Sequence, residues 1–194
     1  MIAGPVQVNR AVHFDFDGAW ATADIMMPTI DLKAWGPKLR HTAPKATIEQ
    51  FYCGIRPHLL PFTLYGSGDF HHLTALWLRG MVQRTTVVCF DNHPDWDRRP
   101  PRWSCGGWVN RALAMRRVEH VAVWGCGNFE LAWPARCFGN MAAVKSGRLA
   151  LYPWTERQGP SVRKCFPCIS RNDWRARRGS HQCRQRRRSR DCVR

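Results

Sequence analysis

The chain has 194 residues, which is enough for one domain with a sizeable buried core. No run approaches the roughly 18 apolar residues that span a bilayer, and the amino terminus lacks the apolar core of a signal peptide. These features argue against a membrane-spanning or secreted protein. We therefore expect a soluble, cytoplasmic protein whose nine cysteines remain thiols.

The net charge of +16 is concentrated towards the carboxyl terminus. Residues 161–194 hold 12 of the 30 Lys and Arg residues and two of the 14 acidic residues, so residues 1–160 carry a net charge of only +6. This division predicts one α/β domain over 1–160 and an Arg- and Cys-rich tail over 161–194. We expect the tail to be disordered, because its low aliphatic content cannot offset the entropy of ordering it.

Residues 1–160 alternate short apolar or β-branched runs with longer amphipathic segments, a pattern typical of parallel strands joined by helical crossovers. The predicted strands cover residues 11–16, 61–65, 85–90, 120–125 and 148–152. The predicted helices cover residues 44–56, 72–83 and 106–117. The order of these elements predicts a three-layer α/β/α fold with a mainly parallel sheet.

Two polar clusters follow predicted strands directly. GSGDFHH at 66–72 comes after the strand at 61–65, and DNHPD at 91–95 comes after the strand at 85–90. In parallel sheets, ligands bind beyond the carboxyl ends of strands, where loops are free to present polar side chains. The sequence therefore predicts a binding site built from both clusters.

The second cluster has the composition of a metal site. In an extended segment the side chains of Asp91, His93 and Asp95 point the same way, and two carboxylates beside a buried strand need a compensating cation. The alternative interpretation is a solvated loop, in which Asp91 caps a turn and Asp95 pairs with a neighbouring arginine such as Arg98.

The first cluster adds two imidazoles at the start of a predicted helix. Gly66 and Gly68 permit a tight turn, after which either His71 or His72 could reach the loop that follows the next strand. The alternative for this pair is helix capping at an exposed surface.

Together the two clusters resemble the metal motifs of the ureohydrolase (arginase) family. That family has Gly-Gly-Asp-His-Ser as its first motif and Asp-Ala-His-x-Asp as its second, and it binds two manganese ions. Here GDFHH, with Phe70 inserted before the histidines, corresponds to the first motif, and DNHPD corresponds to the second. The resemblance covers roughly residues 10 to 155 and implies the arginase fold.

The resemblance also implies roles for individual residues. His71 would be a terminal metal ligand, Asp91 would bridge two ions, and His93 and Asp95 would each bind one, which places Asp91 and His93 at the catalytic centre. His72 stands where the family has Ser or Asn, so the choice between the two adjacent histidines stays open. The implied cofactor is Mn²⁺, with Zn²⁺ as an alternative, and the implied substrate is a small guanidino, amidino or amide-like molecule.

The third motif of the family, Ser-x-Asp-x-Asp, has no counterpart in this sequence. The acidic residues after position 130 are Glu156, Asp173 and Asp191, and none has a second carboxylate two residues further on. We therefore expect a fold that is incomplete on its carboxyl-terminal side, and little or no turnover. The abrupt change of composition after about residue 160 suggests out-of-frame translation of that segment.

A second class of function is nucleic-acid binding through the Arg-rich tail. Clustered arginines provide phosphate affinity that does not depend on base sequence. The tail offers only Phe166 and Trp174 as aromatic residues for stacking, so no base-stacking platform is evident. The sequence predicts neither a membrane partner nor an oligomeric state.

Overall fold

The computed structural model describes residues 10–100 and 103–170. It has an α/β fold in which two sheets of three parallel strands are flanked by helices, and this confirms the predicted three-layer α/β/α class. The first sheet has the order β2-β1-β3 and the second has the order β4-β5-β6. The strands are β1 Ala11–Asp15, β2 Thr29–Asp31, β3 Phe62–Tyr65, β4 Thr85–Phe90, β5 Val118–Trp124 and β6 Leu149–Tyr152.

In the part of the chain that the structure describes, six short α-helices connect and cover these strands. They are α1 Gly36–Leu39, α2 Lys45–Ile55, α3 Thr74–Trp77, α4 Trp108–Leu113, α5 Met141–Lys145 and α6 Pro160–Cys165. Short 3-10 helices lie between them, at Arg56–His58, Gly68–Leu73, Leu78–Gly80, Cys105–Gly107, Phe129–Leu131, Ala135–Phe138 and Thr155–Arg157.

All five predicted strands are present within a few residues of their expected limits. The sequence pattern did not predict β2, which is three residues long and exposed at both ends, so it lacks an apolar run. The predicted helix over 72–83 is only one turn of α-helix with a 3-10 helix on each side. In the 3-10 helix before it, residues three apart share a face, and this buries both Phe70 and Leu73 completely.

A single apolar core runs through the described residues. Phe16 and Phe70 stack with ring centroids 4.8 Å apart on the side of the first sheet, while Trp96 and Trp108 are 2% exposed beside the second sheet. Burial of large aromatic side chains supplies much of the hydrophobic stabilisation of a domain. The loops that follow β3 and β4 are therefore anchored by aromatic residues at both ends of the core.

The packed part of the chain continues beyond the predicted boundary at residue 160. Val162 and Phe166 lie four residues apart on or just after α6, and both are buried, with Phe166 packed edge-on against Trp96. Ile169 pairs with Trp154 in an isolated bridge. Residues 161–170 thus belong to the packed unit, which differs from the disorder expected for the whole tail, and positions 171–194 lie outside the described residues.

None of the helices in the described residues combines the length and the apolar character that crossing a bilayer requires.

Replacement of Gly139 by Ala should destabilise the fold. A Cβ atom at this position would lie 2.3 to 2.7 Å from three atoms of the Trp96 indole, a rigid and buried group that cannot move aside. We expect the free energy of unfolding to fall by about 1–3 kcal/mol. Urea denaturation followed by circular dichroism measures the change.

Gly54→Ala is the matched control. Gly54 lies on the exposed side of α2, and nothing is within 4 Å of its would-be Cβ atom. Alanine should leave the stability unchanged or raise it by about 0.5 kcal/mol, because it loses less backbone entropy on folding. Equal losses of stability in the two variants would show that the contact with Trp96 is not the reason that position 139 requires glycine.

Candidate metal centre

Three potential metal ligands converge where β3 and β4 end. His71 is in the 3-10 helix after β3, Asp91 follows β4 immediately, and Asp95 lies four residues further along the same loop. Their ligand atoms all lie within 4.8 Å of one another. The first sheet and the second sheet each contribute to the group, which stands at the carboxyl ends of parallel strands as the sequence predicted.

The His71 ring is oriented by the backbone carbonyl of Gly68, three residues earlier. A carbonyl oxygen only accepts, so Nδ1 carries a proton, and Nε2 is the nitrogen that would offer a lone pair to a cation once its own proton is displaced. Nε2 is buried and has no hydrogen-bond partner, although it is 3.2 Å from Oδ2 of Asp95. Two ligands held about 2.1 Å from one ion and separated by roughly 90–110° lie about 3.0–3.4 Å apart, so this spacing fits a shared cation.

Asp95 is the most constrained member of the group. Its side chain is 2% exposed, and its backbone has a φ of 48°, in the left-handed region that Asp tolerates better than most residues. The Trp108 indole Nε1 donates to Oδ2 over 2.8 Å, and the Val109 amide donates to the Asp95 carbonyl over 3.2 Å. The first turn of α4 therefore fixes both the backbone and the carboxylate of Asp95.

The electrostatics of the group favour an added positive charge. Burial raises the pKa of the Asp95 carboxyl, and repulsion from Asp91 adds to that rise, although His71 and Trp108 oppose it. Burial by itself would lower the pKa of His71, but the Asp95 carboxylate outweighs it and raises the pKa to about 11. A divalent cation at Nε2 must displace that proton, and it would relieve the repulsion between the two carboxylates.

The donor set fits one divalent metal ion. Two carboxylates and one imidazole form a mixed oxygen and nitrogen site, which suits Mn²⁺ and also binds Zn²⁺. Three protein ligands leave coordination positions open, as catalytic metal sites do. Within residues 10–100 and 103–170, no further group of three or more His, Cys, Asp and Glu ligands accompanies it.

The other two histidines predicted from the sequence lie outside this group. His93 is at the rim: its side chain is 53% exposed, and Nδ1 is 3.6 Å from Oδ1 of Asp91. His72 is fully buried, its Nδ1 lies 3.5 Å from Sγ of Cys105, and burial lowers its pKa to about 4. Ligand roles for His72 and His93 stay predictions from the sequence.

Several residues that support the site were not predicted. Trp108 was not assigned a polar role, although a buried indole N–H usually has a hydrogen-bond partner and offered a signal. The residue types around His71 did not indicate that its ring would be oriented by the Gly68 carbonyl, three residues earlier. Asn92, which accepts from the guanidinium of Arg157, could not be paired with it across 65 positions without the fold.

Comparisons with known proteins do not indicate a function for this chain. No family model matches the chain, and no solved structure matches it. An uncharacterized protein of Thermotoga maritima is 35% identical over 71 residues, which is 37% of this chain and 29% of the relative. The matched part of the chain thus spans less than a third of that relative's length. Because the relative is uncharacterized, the match does not indicate an activity.

Asp95→Asn should abolish high-affinity metal binding. The amide keeps the shape of the side chain and can still accept from Trp108, but it removes the buried negative charge. Loss of a partner to a metal ligand weakens binding by about 10–100-fold, so loss of the ligand itself should cost more than about a hundredfold. Competition for Zn²⁺ with a chromogenic chelator measures the affinity.

Asp97→Asn provides the control on the same loop. Asp97 pairs with Arg99 and is not one of the converging ligands, so its variant should bind Zn²⁺ as the wild-type chain does. Similar losses in both variants would mean that the loop as a whole, rather than Asp95, determines metal affinity.

Trp108→Phe should weaken metal binding while leaving the ligands in place. The substitution removes the N–H that orients the Asp95 carboxylate but keeps an aromatic ring in the core. We expect about a tenfold loss of Zn²⁺ affinity. Trp103→Phe, which changes another buried indole without a bond to the site ligands, should leave the affinity unaltered, and a tenfold loss there too would contradict the assignment.

Proposed function

We propose that the chain carries the metal site of a hydrolase that acts on C–N bonds in guanidino, amidino or amide-like substrates, as in the ureohydrolase family that its motifs resemble. The observation that carries the proposal is the convergence of His71, Asp91 and Asp95 at the carboxyl ends of two parallel strands. Convergence of this kind, with a buried imidazole nitrogen that makes no hydrogen bond and lies 3.2 Å from Oδ2 of Asp95, supports a shared divalent cation.

The protein side chains would position the reaction in distinct ways. A bound divalent ion would supply Lewis acidity towards the electrophilic carbon of a C–N group. Asp95 is held rigid by Trp108, and the Gly68 carbonyl fixes the face that His71 presents, so neither ligand needs to reorganise. Asp91 stands at the edge of the group and borders an open cleft, through which a substrate can approach.

The ligand set supports one ion rather than the pair of manganese ions implied by the resemblance. Without the third motif, the chain lacks the carboxylates that would complete a second ion's coordination. We therefore expect about one equivalent of metal per chain and no measurable release of urea from arginine or agmatine.

Paramagnetic relaxation by Mn²⁺ tests the proposal without relying on turnover. In the presence of the Mn²⁺-loaded chain, the proton resonances of 4-guanidinobutanoate nearest its guanidino group should broaden more than those next to its carboxylate. Asp95→Asn should abolish the effect and Asp97→Asn should preserve it. Broadening that is uniform along the molecule, or equal in both variants, would contradict a C–N substrate at this site.

The alternative function, nucleic-acid binding by the Arg-rich tail, concerns residues that lie mostly outside those described. It rests on the 12 basic residues among positions 161–194. Salt-sensitive retention on DNA that is lost when residues 171–194 are deleted, in a chain that binds no metal, would favour it.

A further inference from the structure

A cleft of about 410 Å³ opens beside the metal centre at the carboxyl ends of the second sheet. Asp91 belongs both to the metal ligands and to the lining of this cleft. The remaining lining is mostly apolar and aromatic, with contributions from Phe90, Trp124 and Trp154, and Arg157 is the one cation among the described lining residues. Such a composition, mainly apolar with a few placed polar groups, is typical of small-molecule sites.

The aromatic wall of the cleft follows from strand register. Phe90, Trp124 and Tyr152 are paired across β4, β5 and β6 at the last position of each strand, so their side chains leave the same face of the sheet, and Phe90 and Trp124 line the cleft. Trp124 and Tyr152 stack with centroids 4.3 Å apart, while Phe90 is 73% exposed. An exposed phenylalanine at the mouth of a cleft offers a flat apolar surface to an aromatic or planar ligand.

Two neighbouring residues, Asn92 and Gly127, determine the position of the Arg157 side chain at the cleft. Its Nη1 donates to Oδ1 of Asn92 over 3.1 Å, and a Cβ atom on Gly127 would lie 2.7 Å from Cδ of Arg157 and 2.8 Å from Oδ1 of Asn92. Only glycine leaves room for this pair. In the described residues no carboxylate lies within ion-pair distance of Arg157.

A second glycine lets Trp154 pack close to the backbone at the base of the cleft. Gly125 has a φ of +97°, and a Cβ atom there would come within 3.2 Å of the Trp154 indole nitrogen and 3.5 Å of the Asp91 carbonyl. Glycine therefore allows the Trp154 indole to approach the backbone beside Asp91, and all three residues line the cleft.

We propose that this cleft binds the body of a substrate that carries a carboxylate, with Arg157 holding that carboxylate and the aromatic wall stacking on a planar segment, so that the C–N group reaches Asp91. A guanidinium presents paired N–H donors that match the two oxygens of a carboxylate. A single cation balances a carboxylate better than a phosphate dianion. The inference rests on the proposed function for the identity of the reacting group, and it narrows the substrate class to guanidino or amide compounds that carry an acid.

The test compares 4-guanidinobenzoate with 4-guanidinobenzamide, in which a neutral carboxamide replaces the carboxylate and the guanidinium group is kept. Ligand-observed NMR titration of the full 194-residue chain, with and without Zn²⁺, gives the two dissociation constants. We expect the wild-type chain to prefer the carboxylate by about tenfold, since hydrogen bonds to a charged group contribute about that much. Arg157→Gln should remove the preference, and Arg157→Lys should restore part of it.

Phe90→Ala serves as a second variant that is not expected to disturb folding, because Phe90 is largely exposed. It should weaken binding of both probes by a similar factor and leave the ratio between them unchanged, since the ring interacts with the planar body rather than with the acid. Equal affinity of the wild-type chain for the two probes, no binding of either, or a preference that survives Arg157→Gln would overturn the proposal.

Zinc titration of the wild-type chain and of Asp95→Asn separates this inference from the proposed function. If the chain binds Zn²⁺ through Asp95 but shows no preference for the carboxylate, the cleft proposal is wrong and the metal site stands. If the preference depends on Arg157 but no metal binds, the cleft stands as an acid-binding site and the hydrolase proposal is wrong.

Discussion

The burial of the Asp95 carboxylate is the constraint on which the rest of the site depends. A charged group at 2% exposure is costly unless its charge is balanced and its oxygens are hydrogen-bonded. The Trp108 indole provides one hydrogen bond and His71 provides the nearby positive charge. The left-handed backbone at Asp95 turns the carboxylate inward, and such local strain persists where surrounding structure holds it in place.

That arrangement adds a link between the loops that follow the two sheets, which also meet in the shared apolar core. His71 comes from the loop after the first sheet, whereas Asp91 and Asp95 come from the loop after the second sheet. The aromatic residues beneath them, Trp96 and Trp108, fix the second loop against the core. A cation shared by the three ligands would therefore join the two sheets at their carboxyl ends, which links metal binding to the stability of the whole unit.

The sequence predicted the strands well and the site in part, for physical reasons that differ. A run of apolar and β-branched residues such as TTVVCF predicts a strand from its local composition. The strand β2 has no such run, because it is only three residues long and mostly exposed. Asp91, His93 and Asp95 would share one face only in an extended chain. The amide of His93 donates to Oδ1 of Asp91 over 2.9 Å, and this turn leaves His93 exposed at the rim. The positive φ at Asp95 then directs its carboxylate towards His71. Neither the indole partner nor the Arg157 cleft could be inferred without long-range contacts.

Anomalous diffraction at the manganese absorption edge, from crystals of the chain grown with Mn²⁺, tests the central claim most directly. The account predicts one anomalous peak at about 2.0–2.2 Å from Nε2 of His71 and from carboxylate oxygens of Asp91 and Asp95. A crystal without such a peak, or with the ion bound elsewhere and the Asp95 carboxylate still paired with His71, would contradict a metal site at this position.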